Sequence, residues 1–501
     1  MLFWLLILGT FMYFVVKRNL SGITRTPTWL LWLVMMTPVL VLIAWIQLYG
    51  KDKPMPLVLL IGLFAICPLV YWLLIQWGRT PPTRSADTSN SIAKGQPKGY
   101  KATQGGLKSD ESASKKVVRP IDNAEEATLK NCFPWGIFYL QDIEYRPQAM
   151  ICRGRLRTSP DVAYQTIRDN IQSQFGDRFL VIFQEGLSGK PFFALVPNPQ
   201  AQVVNQRTQM PITRPGLAIG LLLMTLLTTT TFGGEWITGV TDVDLPEKIS
   251  FLEAGLPYAL ALMAILGCHE MGHYLTARFY GIQTTLPYFI PVPFFLGTFG
   301  AFIQLRSPVP NRKALFDVGI AGPMLGLVVT LPLLIWGLAQ SEVVPLPETA
   351  SMLQFEAFTP SSSLLIALLS KFALGNKLTL ESAINLHPVA VAGCLGLVVT
   401  ALNLMPVGQL DGGHIVHAMF GQRTAAAIGQ IARILVLVLS VVQQELFIWA
   451  ILLFFIPIVD EPALNDVSEL NNQRDFWGLI ALSLLVIIIL PAPRAIMQVL
   501  F

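Results

Sequence analysis

The feature that most restricts how this chain can fold is a metal-binding motif inside an apolar segment. His269, Glu270 and His273 form an H-E-x-x-H sequence within the apolar residues 255–281. Positions i and i+4 of a helix share a face, so the two histidines can offer two imidazoles to one metal ion. Glu270 follows the first of them, where a carboxylate can take a proton from water. Ionisable groups in a bilayer are costly and usually functional, so this pattern predicts a metal site in a membrane helix.

The composition predicts the class of protein. The chain is 53% hydrophobic and 13% charged, whereas a soluble chain is about one quarter charged. We therefore expect a polytopic α-helical membrane protein with a small soluble α+β module. The net charge of +4 and the absence of a basic stripe do not favour a nucleic-acid partner. The five cysteines contain no CxxC pair, which predicts reduced thiols.

The changes in composition along the chain predict four parts. Residues 1–77 form an N-terminal membrane anchor with about three transmembrane helices, at 1–16, 28–49 and 56–77. Residues 78–119 form a flexible linker, residues 120–213 the soluble module, and residues 214–501 a membrane-embedded domain that carries the H-E-x-x-H motif. Lys17, Arg18 and Arg25 favour a cytoplasmic first loop, which places the soluble module on the cytoplasmic side.

The soluble module shows no catalytic pattern. Its alternating segments 138–144, 149–156, 179–184 and 191–196 predict strands, and residues 161–175 predict an amphipathic helix. It contains no histidine. Two roles remain open for it, either regulation or substrate recruitment, or that of a folded spacer.

The C-terminal part alternates spans with irregular segments. We predict apolar spans at residues 216–232, 255–281, 318–338, 387–404, 424–442, 445–458 and 477–490. Residues 282–312 are rich in Pro, Phe and Gly, which is typical of a re-entrant or interfacial segment, and residues 300–305 within it predict a strand. Gly319, Gly322 and Gly326 would let a neighbouring helix approach closely.

A second motif follows the span 387–404. Residues 403–414 read Asn-Leu-Met-Pro-Val-Gly-Gln-Leu-Asp-Gly-Gly-His, in which Pro406 and Gly408 should unwind the helix. The alternation of spans brings Asp411 to the leaflet of His269 and His273. Two imidazoles and one carboxylate leave the fourth position of a zinc ion open for water, as in catalytic sites.

Two assignments in this second motif remain open. His414 and His417 compete with Asp411 for the role of third ligand, although a position behind the ligands suits them better. The amide of Asn403 could bind a substrate carbonyl or its oxyanion, or it could make an ordinary hydrogen bond between helices.

The two motifs together resemble those of the site-2 protease family of intramembrane zinc metalloproteases. The resemblance is carried by residues 269–273 and 403–412, extends roughly from residue 216 to the C-terminus, and includes residues 297–303 and 321–323. It is strongest toward cyanobacterial and chloroplast members of the ethylene-dependent gravitropism-deficient and yellow-green type. It implies Zn²⁺ as cofactor, Asp411 as third ligand and Glu270 as catalytic base. Unlike many bacterial members, the chain shows no recognisable PDZ insert.

These patterns predict an intramembrane zinc metalloendopeptidase that hydrolyses peptide bonds within or next to transmembrane segments of membrane proteins. Gly300 and Phe302 lie in a segment that could hold a substrate extended by strand addition. Its partners would be membrane-protein substrates and the lipid bilayer, as a multi-pass protein of a plasma or thylakoid-type membrane. The alternatives are a transporter or channel with a bound metal and a proteolytically silent chaperone. The sequence leaves the substrate and the oligomeric state open.

Overall fold

The computed structural model describes residues 26–49, 67, 70, 74, 121–146, 149–186, 189–198, 214–238, 248–293, 296–346, 357–442 and 446–501. The chain divides into two compact units, Met1–Ser112 and Ala113–Phe501. In the first unit, helix α1 spans Thr28–Tyr49, which confirms the second predicted apolar segment as a helix. The predicted spans 1–16 and 56–77 and the predicted linker 78–119 lie outside the described residues, apart from three single helical positions.

The soluble module contains a four-stranded antiparallel sheet with strand order β1-β2-β4-β3. Its elements are α2 (Asn123–Asn131), β1 (Phe138–Arg146), β2 (Ala149–Leu156), α3 (Pro160–Phe175), β3 (Phe179–Glu185) and β4 (Pro191–Pro197). All four predicted strands and the predicted helix are present, with ends within two residues of those expected from the sequence.

The core of the soluble module follows from the periodicity of its elements. Phe183 of β3 and Phe193 of β4 point inward from facing positions and stack with ring centroids 4.1 Å apart. Ile167 and Ile171 of α3 lie four residues apart, so both are buried against the sheet. The strand β3 forms one edge of the sheet, a position that matters below.

The membrane part is built from apolar helices. Five of the helices in the described part of the chain are long and apolar enough to cross a membrane. They are α4 (Pro215–Thr238), α5 (Lys248–Phe279), α6 (Arg312–Ala339), α10 (Gln422–Val442) and α12 (Asn472–Ile489). The predicted fold class, a polytopic helical membrane protein with a small α+β module, is confirmed.

Shorter elements complete this part. The strands form two two-stranded antiparallel sheets, β5 (Tyr288–Pro291) with β6 (Thr298–Phe302) and β7 (Glu342–Pro345) with β8 (Ser382–Asn385). The short helices are α7 (Leu364–Leu374), α8 (Pro388–Leu404), α9 (Asp411–Phe420), α11 (Leu446–Phe455) and α13 (Arg494–Leu500).

Three details differ from the sequence prediction. Helix α5 begins at Lys248, seven residues before the predicted span. The prediction followed apolar residues and therefore left out the first two turns, which contain polar residues. Helix α11 has only 10 residues, so the predicted span 445–458 is too short to cross a bilayer as a straight helix. Residues 340–385, between the predicted spans 318–338 and 387–404, contain β7, α7 and β8, each too short for a recognisable periodicity.

The glycines of α6 permit close helix packing, as predicted. A methyl group on Gly272 of α5 would lie 2.5 Å from the carbonyl oxygen of Ala321 on α6, so the two backbones nearly touch. At the end of α5, Arg474 of α12 donates two hydrogen bonds to the carboxylate of Asp317 on α6, at 2.8 and 2.7 Å. These contacts fix α5, α6 and α12 relative to one another.

Candidate active site

Helix α5 positions the first two candidate ligands. His269 and His273 lie one turn apart, and their Nε2 atoms are 3.2 Å apart. Both imidazoles are buried, with 3% and 7% of each residue exposed. The helical periodicity expected from the H-E-x-x-H sequence therefore brings the two nitrogens to one point.

Asp411 reaches the same point from a distant part of the sequence. Its Oδ2 lies 3.4 Å from His269 Nε2 and 3.3 Å from His273 Nε2. Helix α8 ends at Leu404, and Gly408 adopts a positive φ of 52° in the turn that leads to α9. A methyl group on Gly412 would lie 2.0 Å from the Leu404 carbonyl oxygen, so only glycine allows α9 to start this close to the end of α8.

The three ligand atoms have the spacing of a tetrahedral metal site. Bonds of about 2.0–2.1 Å at tetrahedral angles separate ligand atoms by about 3.3–3.4 Å. The observed separations are 3.2, 3.4 and 3.3 Å. Among the described residues, His269, His273 and Asp411 are the one group of three such side chains that meets the geometry for holding a metal ion. Two nitrogen donors and one oxygen donor suit zinc, so the residues fit this ion.

The tautomer of His273 also favours metal binding. Its Nδ1 lies 2.8 Å from the carbonyl oxygen of Val318 on α6. A carbonyl oxygen only accepts hydrogen bonds, so Nδ1 carries the proton and the Nε2 lone pair faces the other ligands. A methyl group on Gly322 would lie 2.0 Å from that Nε2 atom, so α6 leaves just enough room for the ring.

Glu270 and Asn403 border the ligand group. Glu270 is 8% exposed and lies within hydrogen-bonding reach of the backbone of Ile303, just after β6. The amide Nδ2 of Asn403 lies 3.1 Å from His269 Nε2. The carboxylate and the amide therefore reach the ligand group from different helices, α5 and α8.

Gly300 and Phe302 lie in β6, beside the site and not among the ligands. Phe302 pairs with Tyr288 and Ala301 pairs with Phe289 in the neighbouring β5. Phe289 packs toward Gly267, two residues before His269. The predicted strand 300–305 is shifted, since β6 spans Thr298–Phe302, and Gly300 has a positive φ of 101°. The β5–β6 pair therefore lies along the helix that carries the site.

His414 and His417 are turned away from the ligand group. His414 Nδ1 and His417 Nδ1 each lie 2.8 Å from Asp460 Oδ2. The other nitrogen of His417, Nε2, lies 3.0 Å from Asp466 Oδ1. Of the three candidates for the third ligand, only Asp411 lies with His269 and His273.

Sequence reasoning missed the carboxylates that bind these two histidines. Asp460 and Asp466 lie in an acidic stretch that has no motif and is separated from α9 by two helices, so no local pattern connects them. Burial alone would lower the pKa of His417, but its hydrogen bonds to Asp460 and Asp466 raise that pKa to about 9. Both ring nitrogens of His417 therefore carry protons and cannot coordinate a metal.

Two parts of the chain match known families. Residues 257–443 match Peptidase family M50, and residues 127–203 match the EGY3 middle domain. The M50 match contains His269, Glu270, His273 and Asp411, whereas the middle-domain match covers most of the soluble module. No solved structure matches the chain.

Curated relatives come from plants. A protein of Oryza sativa subsp. indica named "Probable zinc metalloprotease EGY2, chloroplastic" is 29% identical over 368 residues, 72% of this chain and 65% of that protein. The Arabidopsis thaliana protein named "Probable zinc metalloprotease EGY1, chloroplastic" is 34% identical over 255 residues, 50% of this chain and 46% of that protein. The Arabidopsis thaliana protein named "Probable zinc metallopeptidase EGY3, chloroplastic" is 27% identical over 365 residues, 70% of this chain and 63% of that protein.

The chain thus spans between 46% and 65% of the length of these relatives. The M50 match contains the four residues of the candidate site, and the alignments with the EGY2 and EGY3 proteins cover 72% and 70% of this chain. Residues 257–443 of the chain therefore match peptidase family M50, and the chain is similar to the EGY-type zinc metalloproteases named above.

Proposed function

We propose that the protein is an intramembrane zinc metalloendopeptidase that hydrolyses peptide bonds within or next to transmembrane segments of other proteins. The observation that carries this proposal is the convergence of His269, His273 and Asp411, with Glu270 directly after His269 on α5. Because α5 is apolar and long enough to cross a membrane, this polar group lies in a membrane-type helix. Buried ionisable groups in a membrane helix are costly and usually serve a function.

His269, His273 and Asp411 would hold the zinc ion. Zinc supplies a Lewis acid that polarises a carbonyl and makes water more acidic. The Val318 carbonyl keeps the His273 proton on Nδ1, which leaves Nε2 free for the ion. The chain thus provides three ligands from two helices and leaves one side of the site for reactants.

Glu270 would act as general base and then as general acid. Its carboxylate takes a proton from the attacking water and later gives a proton to the nitrogen of the departing amine. The Asn403 amide, whose Nδ2 lies 3.1 Å from His269 Nε2, would donate a hydrogen bond to the oxygen of the scissile carbonyl as negative charge develops there.

A substrate helix must open before it reacts, because its carbonyl groups are engaged in helical hydrogen bonds. The segment containing Gly300 and Phe302 lies along α5, and Phe302 is 47% exposed. We place the extended substrate beside β6, with main-chain hydrogen bonds to the strand. Ile303, directly after β6, contacts Glu270, so a substrate held there would lie near the base.

The substrates are membrane proteins, and the enzyme is a multi-pass integral membrane protein. The five apolar helices support this arrangement. The relatives named chloroplastic support a thylakoid-type membrane, and a plasma membrane fits the same helices.

A comparison of membrane proteomes tests the proposal. Membranes from cells producing the wild type or His273→Ala are compared by identifying new protein termini. We expect termini within or next to transmembrane segments that occur only with the wild type. An identical set of termini in both would contradict the proteolytic function, and a defect in metal or solute uptake without lost termini would indicate a transporter.

A further inference from the structure

One short segment joins the soluble module to the part of the chain that carries the candidate metal site. It consists of residues 460–468 and is called the bridging segment here. Leu464 accepts a hydrogen bond from the backbone N–H of Phe183 at 2.7 Å, and the N–H of Asp466 donates to the Phe183 carbonyl at 2.9 Å. The bridging segment thus pairs in parallel with the edge strand β3 of the soluble module.

The same residues pair on their other side with the chain just before α6. The N–H groups of Leu464 and Asn465 donate to the carbonyl oxygens of Val309 and Pro310, at 2.9 and 3.0 Å. Asp466 lies 3.3 Å from the Nε of Arg312, the first residue of α6. Main-chain hydrogen bonds and isolated β-bridges at Asn465 thus link the segment to two parts of the fold.

Side chains of the bridging segment enter the core of the soluble module. Val467 is 8% exposed and belongs to the same apolar cluster as Phe183 and Phe193. Leu464 packs against that cluster as well. Burial of apolar side chains is stabilising, so this contact adds to the main-chain hydrogen bonds.

The bridging segment also binds α9, the helix that begins with Asp411. His417, in the last turn of α9, is fully buried and lies 2.8 Å from Asp460 and 3.0 Å from Asp466. His414, one turn earlier, lies 2.8 Å from Asp460. His414 is therefore attached to Asp460 at the start of the segment, and His417 is attached to both Asp460 and Asp466.

We propose that the bridging segment couples the soluble module to the metal site, with His417 as the positioning residue that holds α9 and thereby Asp411. Attachment of the module keeps the segment in place, and the segment keeps the far end of α9 in place. Asp411 is the first residue of α9, a helix of 10 residues, and moves with the helix. A shift of α9 would therefore move the carboxylate of Asp411 relative to His269 and His273.

This inference rests on the proposed zinc site, and two variants test it from opposite ends. Val467→Asp places a charge in the core of the soluble module and leaves every residue of α9 unchanged. His417→Gln keeps a polar side chain on α9 but removes one of its two carboxylate contacts. The matched control is Val162→Asp, the same substitution at a position of α3 that is 47% exposed.

The measurements are the zinc affinity of the purified full chain, by competition with a chelator, and the visible spectrum of the Co²⁺-substituted protein. The spectrum reports the geometry of the metal ligands, which a purely structural role of His417 would not change. We expect Val467→Asp and His417→Gln to weaken zinc binding by about tenfold or more, the range seen when groups behind metal ligands are removed. Both should alter the Co²⁺ spectrum, and Val162→Asp should match the wild type.

Wild-type affinity and spectrum in both test variants would overturn the proposal. A loss in His417→Gln alone would also overturn it, since α9 would then be held without help from the soluble module. The parent proposal is checked separately with His269→Ala. If His269→Ala binds zinc as tightly as the wild type does, the proposed zinc site is wrong, independently of any coupling to the soluble module.

Discussion

His273 shows how strongly single residues determine the candidate site. Its ring is fixed by the Val318 carbonyl on one side and meets His269 and Asp411 on the other. The backbone of α6 passes so close that Gly322 has no room for a side chain beside it. The position of the His273 ring thus depends on its hydrogen bond to Val318 and on the absence of a side chain at Gly322.

The close approach of α6 leads to a prediction for Gly322→Ala. The added methyl group would lie 2.0 Å from His273 Nε2, so the ring or the helix must move. We expect zinc content to fall about tenfold or more, measured by elemental analysis of the purified protein. The control is Gly220→Ala in α4, where nothing lies within 4 Å of the added methyl group. Full zinc occupancy in Gly322→Ala would show that His273 does not bind the ion.

The identity of the third ligand gives a second prediction at this scale. Asp411 lies 3.3 and 3.4 Å from the two imidazoles, whereas His414 is bound to Asp460. We expect Asp411→Ala to lose zinc, like His269→Ala and His273→Ala, and His414→Ala to retain most of it. The metal content of the four variants decides between them. Zinc depletion in His414→Ala together with full zinc occupancy in Asp411→Ala would show that His414, and not Asp411, is the third ligand.

At the scale of helices and strands, the sequence predicts whatever has a strong local signal. The apolar spans, the strands of the soluble module and the i, i+4 pair of histidines all follow from periodicity. The turn that brings Asp411 to the site follows from Pro406 and Gly408. The short elements β7, α7 and β8 have too few residues for a recognisable period.

The sequence does not predict contacts between parts of the chain that are far apart in sequence. Asp460 and Asp466 form ion pairs with His417 only because the bridging segment folds back over α9. Charged residues in an acidic stretch normally face solvent, so nothing local indicated that these two are buried. Their contacts with His417 depend on the packing of α9, α6 and β3 against the bridging segment.

The ion pairs of His417 lead to a pH prediction at this scale. The folded-state pKa of His417, about 9, is above the usual value near 6.5, so its contribution to stability is full below that usual value. The contribution is lost as the pH rises through about 9. The pKa of Asp460 is held low, at about 2, so this carboxylate stays ionised throughout that range.

Thermal unfolding of the wild type and His417→Gln, measured from pH 6 to pH 10, checks this prediction. We expect the wild type to have the higher Tm near pH 6, and the difference in Tm to shrink as the pH approaches 10. The two proteins differ only at residue 417, and the neighbouring Arg312, His414, Asp460 and Asp466 are present in both. A difference that is constant or grows with pH would contradict an ionic role for His417.

At the scale of the whole molecule, the soluble module and the candidate site belong to one compact unit. The charge distribution predicts the side of the membrane on which the module lies. Lysines and arginines exceed aspartates and glutamates between residues 78 and 214, whereas residues 235–247 carry acidic side chains. We expect the first region in the cytoplasm and the second on the outer side.

Labelling with a membrane-impermeant thiol reagent in intact cells tests this topology. Single cysteines replace Ser112 in the predicted linker and Thr241 in the acidic stretch, in a background without reactive native thiols. Only the Thr241 position should be labelled. Labelling of the Ser112 position and protection of the Thr241 position would reverse the whole arrangement.

The central claim is that Glu270 transfers protons in peptide hydrolysis at a zinc site. Glu270→Gln preserves the shape of the side chain and leaves His269, His273 and Asp411 intact, so zinc should remain bound. General acid–base catalysis contributes about 10²–10⁴ in rate. A membrane-protein substrate identified from the proteome comparison is reconstituted with purified wild type or Glu270→Gln at equal zinc content, and the appearance of fragments is timed. We predict that Glu270→Gln forms fragments at least about 100-fold more slowly; equal rates at equal zinc content would contradict the proposed mechanism.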